Sequence, residues 1–168
     1  MTSPEVTIIV PLFNEEDNII PFYNKLNFDL VKKNYGYELI FVDDGSTDSS
    51  LQILEEIKEK DNRIKIIHLR RNFGKSIALQ IGFLHAVGNI AITMDGDLQD
   101  DSAEIPKFIE KLNEGLDLVS GWKYPRFDPL TKTLPSKFFN YFTKKMTGVN
   151  IHDFNCGFKA YKKEVYKS

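Results

Sequence analysis

Apolar runs and helical stripes alternate along this chain, and the alternation predicts a βαβ order. Val6 to Val10 is almost wholly apolar, the pattern of a strand covered on both faces in a parallel sheet. An amphipathic helix is expected from about Asp17 to Lys32, with Ile19, Phe22, Leu26 and Leu30 on one stripe and Pro21 accommodated in its first turn. Leu39 to Val42 reads as the second strand. It empties into Asp43-Asp44-Gly45-Ser46-Thr47-Asp48, where Asp48 is placed to N-cap a helix carrying Leu51, Leu54 and Ile57. Ile64 to Leu69 is expected as a third strand. Lys75 to Val87 is then a largely apolar, well-buried helix stopped by Gly88. A fourth strand from Ile90 runs into acids. Asp101 with Glu104 opens a helix bearing Ile105, Phe108, Ile109 and Leu112 that ends at Gly115, and Leu116 to Val119 forms a fifth strand. The expected fold class is therefore α/β, with a mostly parallel central sheet and helices on both faces.

Beyond Gly121 the rhythm breaks. Lys123-Tyr124-Pro125-Arg126-Phe127-Asp128-Pro129, with Pro135 close behind, holds three of the seven prolines and reads as a cationic binding loop or lid. Ser136 to Thr147 follows as a short helix with Phe138, Phe139, Phe142 and Met146 beside Lys137, Lys144 and Lys145, a mixture suited either to a membrane interface or to closing the core over the sheet. Lys162-Lys163-Glu164-Val165 suggests the start of another helix, so the chain reads as truncated.

At 168 residues and 42% hydrophobic content the chain has enough apolar side chains for one core, and a single domain over 1–168 is expected. A single cysteine, Cys156, excludes a disulfide framework and reads as a packing residue in a reducing compartment. No signal peptide and no run of eighteen apolar residues is visible. The formal charge of -2 hides an asymmetry: residues 1–121 carry 12 Lys/Arg against 21 Asp/Glu, and residues 122–168 carry 10 against 3. An acidic half joined to a basic half suggests two kinds of partner, a cation for the first and an anionic acceptor or lipid surface for the second. A solvated basic face is the plainer alternative.

The chemistry concentrates where the fourth strand ends, in Met94-Asp95-Gly96-Asp97-Leu98-Gln99-Asp100-Asp101. Two carboxylates about 5 Å apart repel by roughly 3 kcal/mol at an effective dielectric near 20, which a divalent cation turns into attraction. Residues two apart on an extended chain point the same way, so Asp95 and Asp97 can present oxygens to one ion. Mg2+ or Mn2+ suits such a site, and both keep positions open for substrate phosphates. The bland alternative is a turn whose acids are solvated or cap the next helix. In an open parallel sheet the carboxyl ends of the strands share one edge, so this turn, Asp43-Asp44 and Pro11-Leu12-Phe13-Asn14-Glu15-Glu16 can all face one ligand. The first turn offers an aromatic face for a base. No Gly-x-Gly-x-x-Gly and no full Gly-x-x-x-x-Gly-Lys-Ser/Thr pattern is present, which disfavours a dinucleotide oxidoreductase and a P-loop phosphatase. His68 and His85 lack ligand spacing and read as structural.

Five ordered segments carry a resemblance: Pro-Leu-Phe-Asn-Glu-Glu at 11–16, Val-Asp-Asp-Gly-Ser-Thr-Asp at 42–48, Arg-Asn-Phe-Gly-Lys at 71–75, Met-Asp-Gly-Asp-Leu-Gln-Asp at 94–100 and Asp-Phe-Asn-Cys-Gly-Phe-Lys at 153–159. Together they resemble glycosyltransferase family 2, and within it the polyprenyl-phosphate branch. The resemblance implies a Rossmann-like GT-A fold, a UDP- or GDP-linked sugar donor, and inverting hexose transfer to a polyprenyl phosphate at the cytoplasmic face of a membrane, with no nucleic-acid partner; it also implies that the chain is the soluble catalytic part of a longer protein anchored by C-terminal membrane segments. It implies that Asp97 is the chief ligand of Mg2+ or Mn2+, with Asp95 and Gln99 at the same site. Pro11, Phe13, Glu15 and Asp44 then match nucleoside-holding positions, Asp153 matches the catalytic carboxylate, and Lys75, Lys123 and Arg126 are phosphate contacts. Many polyprenyl-phosphate enzymes carry Gly-Ser-Arg where this chain has Gly121-Trp122-Lys123, and lysine cannot fork onto phosphate as arginine does. Transfer to a sugar hydroxyl, or nucleotide-sugar binding without turnover, stand as alternatives. Asp44 and Asp153 also admit capping roles.

Overall fold

A computed structural model describes residues 4–32, 35–121 and 156–168. Along these, the elements run β1 (Val6–Leu12), α1 (Glu16–Lys32), β2 (Tyr37–Asp43), α2 (Ser50–Lys58), β3 (Ile64–His68), α3 (Lys75–His85), β4 (Ile90–Thr93), a 3-10 turn (Ser102–Glu104), α4 (Ile105–Asn113), β5 (Leu118–Ser120), β6 (Lys159–Lys162) and α5 (Lys163–Tyr166). They build one six-stranded sheet in the order β3-β2-β1-β4-β6-β5. The first four of these strands are mutually parallel, and β6 is antiparallel to both of its neighbours.

Every residue of β1 and β2 is buried, because both faces of the sheet are covered. On one face Val6, Ile8 and Val10 pack with the α1 stripe Ile19, Phe22, Leu26 and Leu30, with Leu54 and Ile57 of α2, and with Ile105, Phe108, Ile109 and Leu112 of α4. On the other, Ile9, Ile40, Val42 and Ala91 meet Ala78 and Ala86 of the α3 region. This is the expected α/β architecture.

Four details depart from expectation. Only Ala78 and Gly82 of α3 are buried, while Ile77, Leu84 and Val87 are exposed. The cause is close approach: a Cβ on Gly82 would lie 2.3 Å from Ile9 Cγ2, so the small residues at i, i+4 set the helix against the sheet and leave its large apolar side chains to the flanks and solvent. Gly88 does not stop this helix. Ala86 caps it in an extended conformation, and Gly88 is where the backbone passes Thr7, whose N would lie 2.7 Å from an added Cβ. Pro21 falls in the second turn of α1, since the helix starts at Glu16, and its exposed position leaves the orphaned Asp17 carbonyl to water. The fourth departure is β6, inserted between β4 and the fifth strand, where no strand was anticipated. Smaller shifts affect helix starts: Ser49 holds the N-cap position of α2 although Asp48 Oδ1 still accepts from Ser50 N, and Asp101 caps the 3-10 turn that precedes α4. The expected loop and helix between 122 and 147 lie outside the described residues.

Candidate active site

The parallel strands run outward from β1 to β3 on one side, and the chain then returns to place β4 on the other. The strand order therefore reverses between β1 and β4, and in open α/β sheets the ligand crevice forms at the carboxyl ends flanking such a point. A cavity of about 220 Å³ lies there, lined by Pro11, Leu12, Phe13, Glu15, Asp44, Lys75, Ala78, Asp95, Gly96 and Asp97. The structure thus brings together Pro11, Phe13, Glu15, Asp44, Lys75, Asp95 and Asp97 of the anticipated site. Gln99 is exposed and does not line the cavity; its backbone N donates to Asp97 Oδ1 at 3.1 Å. Asp153, Lys123 and Arg126 lie outside the described residues.

The turns after β1 and β2 are laced to each other. Asn14 occupies the left-handed region at φ 54, which asparagine tolerates, and its N donates to Ser46 Oγ while its Oδ1 accepts from Thr47 N. Glu15 N donates to Ser50 Oγ, and Ser49 N donates to Glu16 Oε2. Burial pushes the Asp48 carboxyl up, but hydrogen bonds from Ser50 and from the Glu16 amide outweigh it and hold the group below the usual carboxylate range. Asp43, fully buried, accepts from Ser46 N at 2.9 Å and pairs with His68 Nδ1 at 2.7 Å, which gives His68 the structural role expected of it.

Asp44 is 4% exposed and both its oxygens are engaged, accepting from Phe73 N and Gly74 N at 2.8 Å each. It anchors the loop that leads into α3. Gly74 caps that helix at φ 95, and the adjoining Gly45, at φ 75, lets Arg71 backbone atoms approach to 2.4 Å of where a Cβ would stand. Gly74-Lys75-Ser76 matches the end of a P-loop, but Leu69 occupies the position of its first glycine.

The four acids after β4 divide between two tasks. Asp100 is buried and its Oδ2 accepts from Asp95 N at 3.1 Å, while Asp101 pairs with Lys25 and caps the 3-10 turn. Lys25 holds the Asp101 carboxyl below its ordinary range. Only Asp95 and Asp97 line the cavity. Leu98 between Asp97 and Gln99 has φ 64, a left-handed conformation costing a leucine about 1–2 kcal/mol, so this turn is held against its local preference. Asp95 forms an ion pair with Lys75. Among the described residues no group of three or more His, Cys, Asp or Glu is arranged to hold a metal.

Sequence reasoning missed Gly157. A Cβ there would lie 2.7 Å from both carboxylate oxygens of Asp95, so this glycine is the floor on which that carboxylate rests. Thr93 Oγ1 donates to Gly157 O at 2.6 Å, and Cys156 beside it is a buried packing residue. Asp153 and Asn155 make this glycine read as part of a turn, so no local pattern in the sequence marks it as the contact of Asp95.

Residues 7–168 match the family described as glycosyl transferase family 2. The chain is 38% identical over 168 residues to dodecaprenyl-phosphate galacturonate synthase of Rhizobium johnstonii, covering 98% of this chain and 50% of that protein. It is 36% identical over 164 residues to undecaprenyl-phosphate 4-deoxy-4-formamido-L-arabinose transferase of Shewanella sediminis, covering 97% and 50%. The chain thus spans about half the length of these curated relatives. Its fold is shared by a Pyrobaculum calidifontis mannosyltransferase solved with GDP-Man and Mn2+ (TM-score 0.72, 22% identity, 99% of this chain and 47% of that one) and by glucosyl-3-phosphoglycerate synthase of Mycobacterium tuberculosis (TM-score 0.72, 22% identity, 96% and 58%). Among the described residues no helix is long and apolar enough to cross a membrane.

Proposed function

Since the chain belongs to glycosyl transferase family 2, we propose that it binds a nucleotide diphosphate sugar at the crevice between β1 and β4 and serves inverting transfer of a hexose to a polyprenyl phosphate. The observation that carries this reading is the convergence on one cavity of Phe13, Glu15, Asp44, Lys75, Asp95 and Asp97 from three turns and a helix start. Phe13, 41% exposed at the rim, offers a ring face to the base. Asp44 accepts one amide on each oxygen and contributes by fixing the loop that carries Lys75. Lys75 supplies positive charge for the diphosphate. The polyprenyl-phosphate relatives favour a lipid phosphate as acceptor.

Mg2+ or Mn2+ fits the donor set at Asp95 and Asp97. Both ions take oxygen ligands, keep several waters and need only one or two carboxylates plus substrate phosphates, so a three-residue cage is not required. When bound, such an ion neutralises charge on the departing diphosphate. Asp153 is proposed as the carboxylate facing the acceptor, with Lys123 and Arg126 contacting its phosphate and a membrane surface as the place of reaction. A phosphate monoester has a second pKa near 6 and is already anionic at neutral pH, so it asks less of a base than a sugar hydroxyl does.

Thermal unfolding of the chain with UDP-glucose, GDP-mannose or UDP-N-acetylglucosamine, each with and without Mn2+, tests the reading. A donor at 100 times its Kd stabilises by about 2.7 kcal/mol. The expected result is a rise in Tm with at least one donor that is larger when Mn2+ is present. No shift with any of the three at millimolar concentration, with or without Mn2+, overturns it.

A further inference from the structure

Resting on the donor site just proposed, we infer that Lys75 is an exchangeable counter-ion of Asp95. It neutralises that carboxylate in the unliganded cavity and is transferred to the donor's diphosphate when nucleotide binds, so that Lys75 and a divalent cation compete for one carboxylate until the nucleotide arrives.

The two partners of this ion pair differ in how firmly they are held. The Asp95 side chain is 24% exposed and is fixed from two directions. Its backbone N–H donates to buried Asp100, and its carboxylate rests on Gly157, with no room for even a methyl group between them. Gly157 in turn is tied to β4 by the Thr93 hydroxyl, whose residue pairs with Lys159 of β6. Asp95 therefore cannot retreat toward the sheet. Lys75 stands at the first residue of α3 behind Gly74, its side chain is 49% exposed, and four rotatable bonds separate its ammonium from the helix.

A cation held by Asp95 and Asp97 would meet a carboxylate whose charge is already paired, through Oδ1, with the Lys75 ammonium, so the two cations would compete for one anion. Ion pairs this exposed are weak, so competition costs the incoming metal at most about fivefold in affinity. A nucleotide diphosphate removes the competition, because its oxygens give the ammonium another anion inside the same cavity. Coupling of this kind is reciprocal: metal tightens nucleotide by the factor by which nucleotide tightens metal.

Titrating Mn2+ alone, followed by the electron paramagnetic resonance of the free ion, and UDP and GDP in the presence of Mn2+ by calorimetry, on the wild type, Lys75→Met and Lys75→Arg tests this. Lys75→Met is expected to bind Mn2+ alone about threefold to fivefold more tightly and to bind the nucleotide more than about fivefold more weakly. Lys75→Arg, which keeps the cation, is expected to show wild-type Mn2+ affinity, with unchanged melting of all three proteins certifying the fold. Unchanged or weaker Mn2+ binding by Lys75→Met, in a protein whose wild type binds Mn2+ and nucleotide, overturns the inference and leaves the donor site standing. A wild type that binds neither UDP nor GDP with Mn2+ overturns the donor site and this inference with it.

Discussion

Asp44→Asn separates a residue that holds the site from one that touches the ligand. In the folded protein both Asp44 oxygens accept from backbone amides, Phe73 N and Gly74 N, at 2.8 Å, and the residue is 4% exposed. Asparagine keeps the shape but has one acceptor oxygen; its NH2 must face one of those two N–H groups. One charge-assisted bond is lost and a buried donor is left opposing another donor, a cost of about 1.5–3 kcal/mol. For a domain of 168 residues, at about 2–4 °C per kcal/mol, that lowers Tm by roughly 3–12 °C. Differential scanning calorimetry and urea unfolding measure it directly. Asp97→Asn, at the cavity surface, serves as the control and is expected to stay within about 0.5 kcal/mol of wild type. If Asp44→Asn melts with the wild type while nucleotide affinity falls, the anchoring argument is wrong and Asp44 acts on the ligand itself. If it melts early, weakened nucleotide binding follows from a displaced 70–75 loop rather than from a lost contact.

Two further outcomes rest on the same reasoning. Gly157→Ala puts a methyl 2.7 Å from both Asp95 oxygens, so the carboxylate must move by roughly half an ångström, beyond the tolerance of a preorganised site; the expected result is loss of Mn2+-dependent stabilisation by nucleotide with a stability cost of about 1–3 kcal/mol, checked by melting with and without ligands. Asp61 is held below the usual carboxylate range, first by its hydrogen bonds with Arg63, and such a depressed group contributes stability that is present above its unfolded pKa and is lost as pH falls through the folded one. Asp61→Asn is therefore expected to be less stable than wild type at pH 7, and the gap in urea-unfolding free energy is expected to narrow on the acid side of the ordinary Asp value near 3.9.

Much of this fold was legible because its strands are covered twice and its helices once. The uninterrupted apolar run of β1 and the α1 stripe Ile19, Phe22, Leu26 and Leu30 each follow from burial alone, and the structure buries all of those residues. The same logic misjudged α3, where periodicity counts apolar residues but not how near a helix lies to its sheet. Ala78 and Gly82 made the contact, and the larger neighbours that looked like core were left at its margins. Lys159 to Lys162 is short and half polar, so its pairing with β4 and β5 rests on long-range register that no local pattern carries.

The acidic turn after β4 shows why a cluster of like residues is a poor guide to how many of them share a task. Of four carboxylates within seven residues, Asp95 and Asp97 were expected at one cation and Asp101 at a helix start, and the other two are indeed consumed in building the turn: Asp100 fixes the Asp95 backbone and Asp101 caps the 3-10 turn that leads into α4. That division is what allows Asp95 and Asp97 to stand at the cavity at all, since a strained left-handed Leu98 must be over-determined by its surroundings to persist. The strand order adds the last constraint. Because β6 enters antiparallel beside β4, the segment from Cys156 to Phe158 arrives at the carboxyl edge of the parallel sheet, and its glycine becomes the surface against which Asp95 is set. Residues more than sixty positions apart thus fix one carboxylate, and the motif containing Gly157 owes at least part of its composition to the acid it supports rather than to chemistry of its own.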